Sequence, residues 1–245
     1  MCSSFASPVL YRAGGAASRF TRRATEAMPT KSGILGLLAA AQGRRRTDPI
    51  EDLVGLRLAV RCDQKGPLLR DFHTAHHGVS GVSMPLSERF YWTDSVFVAA
   101  IEGPSGLIDG LAEALADPAF PLYLGRRSCV PEGRVVLTVD HEDTAEAALR
   151  TTPPWQAGKV ARRRARRQEV LRVPVQADVG VFSGLSPPRR QLQDIPPVSF
   201  SPPERREYAT RDVVETTLEL PNPFYEPPQD AGGHDPFATV RGGLL

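Results

Sequence analysis

Cysteine is nearly missing. Cys2, Cys62 and Cys129 are the 3 cysteines of 245 residues, odd in number and without a C-x-x-C spacing. That argues against a disulfide framework and a cysteine-based zinc site, and for a reducing compartment. Long hydrophobic runs are missing too: nothing approaches the ~20 apolar residues that span a bilayer. Met1–Leu10 lacks the charged start and apolar centre of a secretion signal. A cytoplasmic protein without a membrane partner is expected. Net charge is low, at +2, which argues against a uniformly basic nucleic-acid protein. No Gly-x-Ser-x-Gly, His-Glu-x-x-His or paired-carboxylate motif points to a reaction.

Acidic residues are absent locally rather than overall. From Met1 to Arg46, Arg12, Arg19, Arg22, Arg23, Lys31, Arg44, Arg45 and Arg46 face Glu26 alone. A second basic cluster is Arg162, Arg163, Arg164, Arg166 and Arg167. Such local fields suit a polyphosphate partner; the plainer alternative is a pair of solvated Arg-rich loops. The bulk composition, 24% charged and 41% hydrophobic, is that of a globular protein. The 23 prolines crowd the stretch after Thr152 and imply long irregular segments there.

The apolar pattern places a helix over Ile34–Ala41, with Thr30 or Ser32 as N-cap and Gly43 as the stop. Leu56–Arg61 alternates as a strand. Val96–Ile101 is almost wholly apolar and reads as a central strand. Pro104 or Ser105 opens a helix, Leu107–Ala116, with Leu107, Leu111 and Leu115 on one stripe. Val135–Val139 is a β-branched strand, and His141–Leu149 a short helix. Met1–Leu10 supplies a first strand, short and polar through Ser3, Ser4 and Ser7, so marginal stability is expected. Together these give an α+β chain of β-α-β-β-α-β order, the ferredoxin-like or RRM-type split unit. Val170–Val175 and Asp212–Leu220 read as strands flanking Pro-rich loops at Ser186–Pro203. The expected organisation is an RRM-like domain over 1–140 with a thumb-like insertion at about 74–90. A small β-rich lobe over 141–220 and a disordered tail over 221–245 would follow.

Four strings carry the chemistry. Pro29-Thr30-Lys31-Ser32-Gly33 invites a nucleotide-loop reading, but Ala27-Met28-Pro29 lacks the glycines of an anion nest. What remains is either capping alone or a phosphate at the helix N-terminus, held by Lys31, Ser32 and the dipole. Leu58-Ala59-Val60-Arg61-Cys62-Asp63 and Leu69-Arg70-Asp71-Phe72-His73-Thr74 each set a cation or imidazole among smaller residues. His73, His76 and His77 have no Cys or paired carboxylate nearby, so no metal is expected. His73 either stacks on a base or meets a phosphate, or it fills a polar gap beside Asp71. In Tyr123-Leu124-Gly125-Arg126-Arg127-Ser128-Cys129 the glycine lets backbone approach a ligand. Arg126 and Arg127 can fork onto phosphate or lie on a base, and Tyr123 can offer its ring.

In this order and at these separations the strings resemble the CasD-type subunits of type I-E CRISPR Cascade complexes, members of the RAMP family. The likeness is close over Pro8–Cys129 and looser beyond. The start departs from it: Ala6–Gly15 has no Trp where that family carries a Gly-Pro-aromatic-Trp-Gly turn. The expectation is a divergent first strand or a chain that begins late. The resemblance implies a non-catalytic subunit that binds the 5′ handle of the guide crRNA. Its partners would be the Cascade backbone subunit and the large subunit, with no cofactor and no small-molecule substrate. RNA contacts would come from Lys31, Ser32, Arg70, His73, Tyr123, Arg126 and Arg127. Arg19 and Arg22 join them by the basic segment before the first helix, and Arg89 by alignment of the Tyr91–Phe97 strand. The alternatives are a metal-independent repeat endonuclease, assembled from His73, Lys31, Tyr11 and Tyr123, or a structural subunit with little RNA contact. Arg211, on the second lobe, is expected to contribute little to RNA binding.

Overall fold

The protein is described from a computed structural model covering residues 25–133, 135, 144–151, 154–183, 189–196, 198–200 and 208–228, and the backbone alone of 2–12 and 22–23. The sheet is organised around β5 (Ser87–Glu102), whose Val96–Ile101 half is buried, as its unbroken apolar run predicts. β5 pairs antiparallel with β1 (Cys2–Arg12) on one side and β3 (Arg57–Gln64) on the other. β1 and β3 are therefore parallel with β5 between them, and α1 (Lys31–Ala41) joins them. α3 (Ser105–Ala116) follows β5. This is the split β-α-β arrangement of an α+β, ferredoxin-like fold. The polar first strand forms after all, paired from Cys2↔Glu102 to Arg12↔Trp92. The expected strand at Val135–Val139 lies, beyond Val135, outside the described residues.

Both faces of the central strands are covered. On one, α1 and α3 bury Leu35, Leu38, Ile108, Leu111 and Leu115 against Leu58, Val60, Phe97, Ala99 and Ile101, with Leu53 of α2 (Glu51–Val54) beside them. Thr30 caps α1 by accepting the Gly33 amide at 3.2 Å, and Gly43, at φ 75°, lets the chain turn away. The α3 stripe is rotated slightly from expectation: Ile108 is fully buried and Leu107 only partly. On the other face Ala59, Val98 and Ala100 lie under Ala148 and Leu149 of α4 (Ala145–Thr151) and under Trp155. Each large apolar side chain so buried contributes about 1.5–3 kcal/mol.

The C-terminal strands extend the same sheet. β6 (Val170–Asp178) pairs with β3 at Ala59↔Ala177, and β8 (Ala209–Pro221) pairs with β6. β7 (Arg189–Ile195) completes this edge inside the stretch expected to be Pro-rich loop. The Arg-rich cluster is likewise not a loop: α5 (Lys159–Ala165) holds its first part.

Two sets of buried charges fasten these layers. Arg61 and Asp63, two apart on β3 and so on one face, have fully buried side chains and form a fork at 2.6 and 2.9 Å beside the bulge between Cys62 and Gln64. Arg61 also donates to the Leu149 carbonyl, and Asp63 accepts the Gln156 amide at 2.6 Å. Burial pushes the Asp63 carboxyl up; the Arg61 fork and the Gln156 amide oppose it. The second set joins α1 to the C-terminal strands. Lys31 Nζ is 3.1 Å from Asp178, and its backbone amide donates to Asp194 at 2.7 Å. Arg211 donates to Asp194 at 2.7 and 3.0 Å and to Asp178. Burial pulls the Arg211 guanidinium down, but Asp194 and Asp178 together hold it above its ordinary value.

Arg211 is thus a residue of the core, remote from the expected RNA contacts in sequence. Arg211→Ala would leave Asp178 and Asp194 buried with Lys31 alone. It should lower stability by about 3–5 kcal/mol, the usual effect of breaking a buried ion pair, read as a large drop in the urea midpoint. An unchanged midpoint would show that water replaces the guanidinium.

Candidate nucleic-acid interface

Beyond the core, β5 continues backwards as a two-stranded ribbon with β4 (Leu68–His73). The ribbon's root is tightly built. The Gly66 amide donates to Ser95 Oγ at 3.0 Å and the Thr93 amide to the Pro67 carbonyl at 3.0 Å. A Cβ at Gly66 would collide with the Thr93 carbonyl. Asp94, at φ 49°, is the one non-glycine residue in the left-handed region among the described residues. It marks where the strand leaves the core. Residues 74–86, the main part of the expected thumb, close the ribbon's far end. A bridge pairs His76 with Ser83, and both histidines of this loop meet serines, His76 at Ser83 and His77 at Ser80.

Antiparallel pairing sorts the ribbon's residues onto two faces. Leu69, Asp71 and His73 stand opposite Tyr91, Arg89 and Ser87. Leu68, Arg70 and Phe72 stand opposite Trp92, Phe90 and Glu88 on the reverse side. On the first face His73 Nε2 lies 2.6 Å from Asp71 Oδ2. Its ring stays about one third exposed, at 37%. Arg89 sits opposite Asp71 and beside Arg23 of β2 (Arg22–Arg23), and its buried Nε has no acceptor among the described residues.

The Tyr123–Cys129 loop docks on the same face. Cys129 and Leu124 pack on Tyr91. The loop is closed by Leu124 N to Cys129 O at 2.7 Å and Cys129 N to Arg126 O at 2.8 Å, with Gly125 at φ 82°. A side chain at that φ would be strained, so the glycine is there for the turn. The Arg126 guanidinium lies 4.8 Å over the Tyr91 ring, with one nitrogen 3.5 Å from the Phe90 carbonyl. Arg127 and Tyr123 are exposed in the same loop. His73, Arg89 and Arg126 are therefore brought to one face, with Arg127 and Tyr123 beside them.

Other expected contacts fall elsewhere. Lys31 is buried against Asp178, and the anion at the α1 N-terminus is the Asp194 carboxylate, so that helix end is already occupied. The Ser32 hydroxyl turns back to Thr30 at 3.4 Å. Arg70 is on the reverse face, paired with Glu88 and 4.7 Å over the Phe72 ring. Arg19 is outside the described residues. Arg22 is described as backbone only, level with Glu88. Arg61, the cation of the Leu58–Asp63 string, is structural. Sequence reasoning missed Tyr91 as the seat for Arg126, although Arg89-x-Tyr91 and Asp71-x-His73 both carry the two-residue spacing that shares a strand face.

The arrangement suits a polyanion. Guanidinium forks match phosphate, a carboxylate fixes the imidazole's orientation, and Tyr123 offers a free ring. Among the described residues no cluster of His, Cys, Asp and Glu is placed to hold a metal ion, and no helix is long and apolar enough to cross a membrane. The sheet's second face cannot serve as an RNA platform, because α4 and Trp155 cover it.

The comparisons agree with this architecture. The chain is similar to the CRISPR system Cascade subunit CasD of Escherichia coli (strain K12), 33% identical over 127 residues that cover 44% of this chain and 57% of that protein. The match thus spans little more than half of that relative's length. A chain of a CRISPR RNA-guided surveillance complex superposes with a TM-score of 0.73 at 28% identity, over 94% of this chain and 95% of that one. A Cas protein of known crystal structure does so at 0.66 and 29%, over 93% and 98%. The family model for CRISPR-associated protein (Cas_Cas5) matches residues 12–214, taking in the central sheet, the ribbon and the docked loop; the chain belongs to this Cas5 family.

Proposed function

We propose that this chain binds the 5′ handle of the guide crRNA in a type I-E CRISPR surveillance complex and does not cut it. The observation that carries this is the gathering of His73, Arg89 and Arg126 on one ribbon face, with Arg127 and Tyr123 exposed alongside. Phosphates lie against Arg89, Arg126 and Arg127. An unstacked base lies on Tyr123. The covered sheet moves this contact from the RRM-like surface to the ribbon and its docked loop. The guide is then held from one end, and the assembly's register follows.

The ribbon also carries an apolar surface. Leu68, Leu69, Phe72, Val79, Val82, Met84 and Leu86 are all more than 40% exposed. Such a concentration marks a protein interface. It would take the neighbouring backbone and large subunits, in the cytoplasm, with no cofactor or small-molecule substrate. A second reading, metal-independent cleavage of repeat RNA, is favoured by one observation: the His73–Asp71 pair is the geometry of a general base. The accompanying Lys31 is buried elsewhere, which weakens the set.

Arg89→Ala, Arg126→Ala and Arg127→Ala should each weaken handle-RNA binding by about 1–3 kcal/mol, as expected for charge-assisted contacts, in filter-binding titrations. Lys31→Ala should act on stability instead and leave the affinity of the folded fraction alone. Equal affinity in all four variants would place the RNA elsewhere.

Incubated alone with labelled repeat RNA, with or without divalent metal, the protein should leave it intact. A single cut that vanishes in His73→Ala would establish the second reading.

A further inference from the structure

The guanidinium of Arg126 is placed by more than its own backbone. The loop around it is fixed: hydrogen bonds between Leu124, Arg126 and Cys129 close it, and Gly125 gives the turn. An arginine side chain still has more rotamer freedom than almost any other. Arg127 shows the difference. One residue on, it is exposed and has no ring contact or ion pair among the described residues. Arg126 instead lies 4.8 Å over the Tyr91 ring, with one nitrogen 3.5 Å from the Phe90 carbonyl. Tyr91 is only 4% exposed, yet it belongs to neither of the two large apolar cores; it forms a small cluster with Cys129 and Leu124. Its hydroxyl is buried and has no hydrogen-bond partner among the described residues. An unpaired buried hydroxyl lowers stability, so the ring, not the hydroxyl, is what this position offers.

We propose that Tyr91 is a positioning residue for RNA binding: the face of its ring holds the Arg126 guanidinium where it meets a phosphate of the handle. The inference rests on the handle reading above. A cation is drawn to the negative face of an aromatic ring, more strongly where water is excluded, and this ring is buried. A guanidinium held in place before the RNA arrives loses less freedom on binding, so its phosphate contact is tighter than a mobile arginine would give. The rival account is that Tyr91 only fills space under the docked loop. The two accounts ask different things of the ring. Filling space needs its shape. Holding Arg126 needs the charge distribution over its face.

The test uses the full chain and labelled handle RNA in filter-binding titrations. Tyr91→Phe drops only an unpaired hydroxyl, so it should bind as the parent does and melt no lower. Pentafluorophenylalanine in place of Tyr91 keeps the ring's shape and reverses the charge on its face. It should bind about 3- to 10-fold more weakly than Tyr91→Phe, with the same thermal melt. The loss should run through Arg126. With Arg126→Ala already present, the fluorinated ring should change affinity by less than about 2-fold; with Arg127→Ala present, it should weaken binding as much as in the parent. Arg126→Ala that weakens binding, beside a fluorinated ring that does not, would overturn the proposal and leave the handle reading standing. An equal loss with and without Arg126 would also overturn it, and would make Tyr91 a support of the whole loop. If Arg126→Ala itself left the affinity unchanged, the handle reading at this face would fail and the proposal with it.

Discussion

A single strand runs from the centre of the core out into the candidate interface, and that continuity constrains everything else. In its C-terminal half β5 is flanked by β1 and β3 and covered on both faces; in its N-terminal half it is the spine of the ribbon. Side chains on a strand alternate, so a slip of one residue would bury Arg61's neighbours wrongly and would also turn Arg89 and Tyr91 to the reverse face. The register is pinned where the halves meet. The β3 bulge at Asp63 closes the Arg61 fork on one side of that junction. Asp94, Ser95 and the Gly66 turn close it on the other. Packing in the core thereby sets the position of groups that touch no core atom.

The second consequence comes from what covers the sheet. A ferredoxin-like sheet with one open face offers aromatic side chains to bases. Here β3 and β5 present Ala59, Val98 and Ala100 on that face, where α4 lies over them, rather than exposed aromatic rings. Opening the face would expose Leu149 and Trp155 and leave the Arg61–Asp63 pair without its carbonyl and amide partners. A ligand that needed the face would have to overcome several kcal/mol of burial. Recognition is therefore displaced to the ribbon, where Arg126 is steadied by the Tyr91 ring and Gly125 gives the loop its turn.

Local pattern revealed the elements whose residues obey one rule at a time. The α1 and α3 stripes, the apolar run of β5 and the alternation in β8 were all legible, and they suffice for the fold class. β7 was hidden because Arg189-Arg190-Gln191-Leu192-Gln193-Asp194 is mostly polar; its partner is β8, remote in sequence, and Asp194 is held there by Arg211. α5 was hidden because a run of arginines reads equally as a loop. The residues gathered on the ribbon face were all named from the sequence, through the Tyr123–Cys129 string, His73 and the alignment of Arg89. Their sorting was not legible, since the separation of Arg89 and His73 from Arg70 and Glu88 depends on cross-strand register.

Lys31 and Arg126 make the same point from opposite directions. Each is a cation beside a glycine and a hydroxyl residue, and each was read as a phosphate ligand. What separates them is the location of acidic side chains far along the chain. Asp178 and Asp194 lie well over 100 residues from Lys31, and they reach it only because β6, β7 and β8 fold back against the start of α1. Arg126 lies over the Tyr91 ring instead, on a loop docked against the ribbon. A cation's role in such a protein is thus decided by its counter-ion, and the counter-ion by topology. The same criterion divides the arginines of α5 and the turn after it: Arg162 on Phe224 and Arg166 near Glu226 hold the helix in place, and Arg163 and Arg164 are exposed with no ion pair among the described residues.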